Sequence, residues 1–335
     1  MKKVLTGILK IFQPQYLLIW VLLLMVLVFS FLSPAFHTSD NLFEIVRSAC
    51  TNAVMVLGLT WIIAMGEMDV TFPDIAAFGS MVTAFCVMRG MNWGPAILIA
   101  AAASCVFGLI NGVLINVFKV RSLIVTIGIT TIAKAMANIL GKGSAIYLAR
   151  IDPAINFLVY GKIAGVPLLF IVVLILYIIA AVLQNQTKLG QYLYALGENR
   201  QAAMEAGIPE KKIIYAFFIL SVLLASLGGV LLSASFSSGQ PNFQGSYFVD
   251  GLTAVFLGAL VIKIGKPNVI GTFIGAIIIM VLTNGMTLLG VPFFVGIIIK
   301  GILMLLGVVM IAITRYQSNK RRRIAEYASA PAELK

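Results

Sequence analysis

"IIYAFFILSVLLASLGGVLL", residues 213–232, runs twenty residues without a charge. A bilayer-spanning strand needs about 10 residues that alternate, and a spanning helix needs about 20 that are mostly apolar. This run does not alternate, so it reads as a membrane helix. Similar runs lie near residues 16–33, 47–65, 75–91, 94–117, 121–141, 164–183, 249–262, 268–286 and 292–313. With the quoted run, placed at 213–234, they make about ten expected spans. Composition agrees. Only 11% of residues are charged, against roughly a quarter in soluble domains, 61% are hydrophobic, and the mean hydropathy is +1.04. The expected fold is therefore all-α, a polytopic helix bundle in a membrane.

The basic residues orient the bundle. With the N-terminus inside, the cytoplasmic segments hold Lys2, Lys3, Lys10, Lys119, Arg121, Lys188, Arg200, Lys211, Lys212, Lys263 and Lys266. They also hold Arg315, Lys320, Arg321, Arg322, Arg323 and Lys335, so most of the 24 Lys and Arg fall inside. The positive-inside rule then places both termini in the cytoplasm and accounts for the net charge of +12. Because these residues sit at span ends without interleaved aromatics, no nucleic-acid partner is expected. "LVFSFLSPAFHTSD" (27–40) is a poor cleavage site, so the first span is expected to stay on the chain.

Catalytic chemistry has little to work with. His37 is the single histidine, and Cys50, Cys86 and Cys105 lie in apolar runs without paired spacing, which suits buried thiols better than a metal or disulfide. The sequence contains no G-x-x-x-x-G-K-[ST], G-x-S-x-G, H-E-x-x-H or C-x-x-C. No cofactor is expected on this chain, and nucleotide energy, if used, must be bound by another one.

One polar stretch stands apart. "ALGENRQAAMEAGIPEKK" (195–212) lies between two apolar runs, in an expected cytoplasmic loop of residues 184–212. Gly197 and Asn199 are suited to start a short helix, Ala202, Ala203 and Ala206 to propagate it, and Gly207 with Pro209 to stop it. Long helical loops in otherwise short-looped proteins usually serve a partner.

These residues resemble permease subunits of bacterial ABC importers of the ribose, galactose and autoinducer-2 type. The family loop reads aromatic-x-x-G-x-N-x-x-A-A-x-x-x-G-I, here Tyr194, Gly197, Asn199, Ala202, Ala203, Gly207 and Ile208. "GEMDVTFPDIAAFGSMV" (66–82), "SLIVTIGITTIAKAMANILGKG" (122–143) and "IGTFIGAIIIMVLTNGMTLLGV" (270–291) are similar to three further family segments, in the family order. The resemblance implies a bacterial inner-membrane permease for a small neutral hydroxylated solute, such as a monosaccharide or sugar-like signal molecule. It implies two permease chains, identical or related, over two ATPase subunits that bind ATP, fed by a periplasmic or lipid-anchored binding protein. Residues 1–315 would form the permease domain and 316–335 a basic cytoplasmic tail. Gly197, Asn199, Ala202, Ala203, Glu205, Gly207 and Ile208 would form the element that couples to the ATPase.

The chain departs from the family at Glu67, where a second glycine is usual, at Thr71 and at Pro73, and "VIKIGKPNVIG" (261–271) has fewer glycines than the family connector. Glu67, Asp69 and Asp74 lie between two apolar runs, with Gly66 and Pro73 able to break a helix. That stretch is either a short cytoplasmic turn or a broken element inside the membrane, where acidic residues mark function and broken helices line transport paths. Asp69, Asn116, Thr126, Lys134 and Asn284 are the residues proposed along the path. In a bundle, Asn and Thr also join helices. Lys134 calls for a carboxylate, with Asp69 and Asp250 as candidates, or for a water-filled face; snorkelling to an interface is its plainer explanation. An ion-gradient-driven carrier using Glu67, Asp69 and Lys134 is the alternative from another class, and a branched-chain amino-acid or nucleoside permease is the alternative within the class.

Overall fold

The computed structural model describes residues 17–262 and 264–329; the side chains of residues 17, 314, 315 and 317–329 are not described. The N-terminal basic residues Lys2, Lys3 and Lys10, Lys263, and the end of the tail with Lys335 lie outside the described residues.

The chain is a helix bundle, as composition required. In order it forms α1 (Leu17–Leu32), α2 (Ser39–Ala64), α3 (Phe72–Met88), α4 (Trp93–Asn116), α5 (Ser122–Leu140), β1 (Ile146–Tyr147), α6 (Pro153–Tyr160), β2 (Lys162–Ile163), β3 (Val166–Pro167) and α7 (Leu168–Gln186). There follow α8 (Lys188–Glu198), α9 (Arg200–Glu205), α10 (Glu210–Phe236), β4 (Ser238–Gly239), α11 (Gln244–Gly258), α12 (Val269–Leu288) and α13 (Phe293–Ser329). Seven described helices, α2, α4, α5, α7, α10, α12 and the apolar part of α13, are long and apolar enough to cross a membrane. α1 and α3 are shorter apolar helices, and α11 has 15 residues.

The centre is α10, packed against α2, α3 and α4. Lipid offers no hydrophobic drive for helices to associate, so small residues let backbones approach closely. A Cβ on Gly58 would lie 2.3 Å from Ser221 Cα, and one on Gly229 would lie 1.8 Å from the Ala76 carbonyl oxygen. Polar joints add to the packing: the Ser80 and Ser233 hydroxyls lie 2.7 Å apart between α3 and α10, and Thr60 of α2 donates to Thr272 of α12 at 2.9 Å.

Three connectors meet at one end of the bundle. Gln184 and Tyr194 donate to the Pro267 carbonyl, Lys266 pairs with Glu198, and Arg200 pairs with Glu67. At the opposite end β1 pairs with β4, and the Tyr160 hydroxyl donates to the Ser235 carbonyl at 2.8 Å.

The α2–α3 connector decides between the two sequence readings, because it does both things. Gly66 turns at φ +82° beside Gly197, at the end where the connectors meet. From there the chain runs back inward. Asp69 bonds Ser221, eleven residues into α10 and therefore about 16 Å from its start, and Val70 accepts from Thr130, eight residues into α5. Hence α3 starts inside the bundle, with Phe72 stacked on Phe248 of α11 at 6.2 Å.

Candidate functional site

The loop helix forms where the residues allow it. Asn199 adopts extended backbone and its side chain accepts from Ala202 N at 3.1 Å, which caps α9. Gly207 ends it at φ +81°, a conformation that glycine adopts without a Cβ penalty. Of α9, only Ala203 is buried, while Arg200, Gln201, Ala202, Met204 and Glu205 are exposed. A six-residue helix that presents nearly every side chain outward has no packing reason of its own and suits docking on another protein.

Gly197 does not start α9. It lies in the last turn of α8, where it crosses the C-terminal end of α2 so closely that a Cβ would sit 2.3 Å from the Ala64 carbonyl oxygen. Arg200 opens α9 and donates to Glu67 at 2.5 Å and to Glu210, joining the α2–α3 connector, α9 and α10 in one cluster. Burial disfavours the Arg200 cation, but its bonds and charge pairing with Glu210 and Glu67 outweigh this and hold its pKa above the usual value. Glu67 and Glu210 have side-chain exposures of 9% and 6%. Glu67, the departure from the family glycine, is thus the residue that answers Arg200. Beside this cluster a cleft of about 420 Å³ is lined by Lys119, Arg121, Ser122, Met204 and the two glutamates. Burial pushes the Tyr194 hydroxyl up to about 12, so it stays a donor to Pro267 throughout the physiological range.

The five residues proposed along a path do not converge. Asp69 is wholly buried; its carboxylate accepts from Thr71 N at 2.8 Å, Thr71 Oγ1 at 2.5 Å and Ser221 Oγ at 2.9 Å, fixing the re-entrant segment to α10. Asn116 donates to the Lys211 carbonyl at 3.2 Å, and the Thr126 hydroxyl to the Leu123 carbonyl. Asn284 and Asn41 exchange bonds at 2.8 and 3.0 Å, tying α12 to the start of α2. Lys134 alone of the five lines an open groove of about 490 Å³, between α3, α5 and α11.

Neither carboxylate considered for Lys134 faces it. Asp69 is engaged as above, and Asp250 forms an ion pair of 2.7 Å with Lys300 of α13, both side chains 5% exposed. The carboxylate that shares the Lys134 groove is Asp74. Lys300 was not singled out from sequence, although a lysine within "FVGIIIKGILM" (294–304) is a signal that could have found it.

Comparison with known proteins adds an independent line. Residues 41–314 match the family described as the permease component of the branched-chain amino acid transport system. The ribose import permease protein RbsC of Escherichia coli (strain K12) is 32% identical over 86% of this chain and 91% of its own. The protein of the same name from Bacillus subtilis (strain 168) is 30% identical over 86% and 90%. The L-arabinose ABC transporter permease protein AraH of Azospirillum brasilense is 26% identical over 91% and 88%. No solved structure matches the chain.

Proposed function

Since this chain belongs to the permease components of branched-chain amino acid transport systems, we propose that it is the membrane subunit of an ABC importer for a small neutral sugar. It is a multi-pass inner-membrane protein and a transport subunit. The observation that carries the reading is α9: a capped, outward-facing helix, bearing the family motif, pinned through Arg200 to the α2–α3 connector and to α10. An ATPase subunit that receives α9 in a groove would move it as a rigid body on nucleotide binding. Because α9 is tied to the base of α10 and to the re-entrant segment before α3, that motion would reach the interior of the bundle. The end carrying α9 would face the cytoplasm, with both termini on that side. The sugar class rests on the ribose and arabinose permeases among the relatives; delivery would come from a periplasmic or lipid-anchored binding protein, and a second permease chain would complete the pathway. ATP would stay on the ATPase, with no cofactor on this chain.

The test is to tag the chain, extract it gently from native membranes and identify by mass spectrometry what stays bound. An ATPase subunit, lost when residues 195–212 are altered, is the expected result. A chain that purifies alone, with uptake that collapses when the ion gradient is dissipated, would replace this reading with a secondary carrier.

A further inference from the structure

We propose that the groove between α3, α5 and α11 is a binding station for a neutral polyhydroxylated cargo, with Asp74 and Lys134 as its two polar jaws; this rests on the permease reading above. Asp74 sits in the first turn of α3, inside the bundle, at 6% exposure, and its Oδ1 has no hydrogen-bond partner among the described residues. Lys134 lies twelve residues into α5, about 18 Å along its axis, exposed on the groove and close enough for its charge to act on Asp74. No ion pair joins the two within 4.0 Å among the described residues. Thr130, Gln244 and Phe248 are also among the residues that line the groove.

Each feature has a cost that a ligand would relieve. A buried carboxylate oxygen without a partner is destabilising, and an ammonium exposed deep in a span is tolerated beside a water-filled path and not beside lipid. A sugar answers both at once: its hydroxyl groups donate to Asp74 and its oxygens accept from Lys134. The apolar C–H face of its ring fits against Phe248, and the opposite charges of the jaws leave no net charge to demand one from the cargo. The groove is open on one side, and the chain that closes it would be the second permease subunit, which also removes Lys134 from lipid.

The complete transporter, reconstituted in proteoliposomes with its ATPase and binding protein, provides the test. Uptake of radiolabelled ribose, arabinose and galactose, and of leucine as a zwitterion control, is measured for the parent and for Asp74→Asn and Lys134→Met. At least one sugar should be taken up, and each variant should lower that uptake by about tenfold, the effect of removing one bond to a charged group, with the ATPase still bound. A Thr130→Cys variant lacking the three native cysteines should react with a water-soluble methanethiosulfonate, and more slowly during sugar turnover. Parental uptake in both variants, or an unreactive position 130, would overturn the groove while leaving the permease reading in place. A parent that takes up leucine and none of the sugars would overturn the polyol class. A parent that holds no ATPase would overturn the permease reading itself.

Discussion

Gly197→Ala isolates the contact on which coupling is proposed to depend. The added Cβ would lie 2.3 Å from the Ala64 carbonyl oxygen and 3.3 Å from two carbonyl carbons of the same turn. These are backbone atoms at a helix end, so relief requires α8 to back away from α2 by roughly 1 Å, at an overpacking cost of about 1–3 kcal/mol. The same shift would carry the Tyr194–Pro267 bond, now 2.9 Å, past the 3.5 Å at which a hydrogen bond is lost. It would also stretch Arg200–Glu67 from 2.5 Å toward that limit. The expected outcome is a melting temperature lower by a few degrees for the detergent-extracted complex, together with more ATP hydrolysed per cargo molecule moved. Gly207→Ala is the control. Gly207 has φ +81° and open space around a Cβ, so the substitution costs about 1 kcal/mol of backbone strain and displaces no contact. Equal stability and coupling in Gly197→Ala and the parent, or a larger loss of stability in Gly207→Ala, would refute the reasoning.

Four further outcomes are expected. Lys300→Met leaves Asp250 buried and unpaired and should destabilise by about 3–5 kcal/mol, read as loss of folded protein by size-exclusion fluorescence; adding Asp250→Leu should restore most of it, and an equal loss in the double variant would count against the pair. A double-mutant cycle of Glu67→Gln and Arg200→Gln should give a coupling of about 1 kcal/mol that falls with salt, since Arg200 is 43% exposed and screened; additivity would dissolve the cluster. Asp69→Asn leaves one oxygen to accept from Thr71 and turns the other into a donor to the Ser221 hydroxyl, so charge-assisted bonds become neutral ones; both thermal stability and uptake should fall, by about 1 kcal/mol in stability; unchanged values in both assays would remove its proposed part. A cysteine at Gln201, exposed on α9, should be labelled by an impermeant reagent only from the cytoplasmic side.

The helices were legible because each is an apolar run that must satisfy its own backbone in lipid. Boundaries shifted where polar residues continue a helix. α2 begins at Ser39 rather than near 47, because Thr38 caps it and Glu44 pairs with Arg47 one turn on. The short α9 was read at its Asn199 cap and Gly207 stop, since both signals are local. Gly197 was misplaced as a starter because its reason is a neighbour 133 residues away in sequence, Ala64, which no local pattern carries. The outer elements β1, α6 and the β2–β3 hairpin went unforeseen; two-residue strands have no periodicity to detect. The partner of Asp250 and the carboxylate that shares the Lys134 groove were beyond sequence for the same reason as Gly197: which carboxylate lies near which lysine depends on how α3, α5, α11 and α13 are arranged.

The seams around α10 have no compressible layer. Where Gly58 meets Ser221, Gly229 meets the Ala76 carbonyl and Gly108 meets the Phe218 carbonyl, backbone lies against its neighbour with almost no side chain between. Such contacts hold or separate but do not yield by degrees, which makes α2, α3, α4 and α10 a single strut. α10 spans 27 residues, about 40 Å at the helical rise, with Glu210 at the end held by α9. A tilt of about 10° imposed there would sweep the far end through roughly 7 Å, a displacement comparable to the width of a sugar ring. Leverage of this kind needs no unfolding, no bending and no change in any distance within the strut.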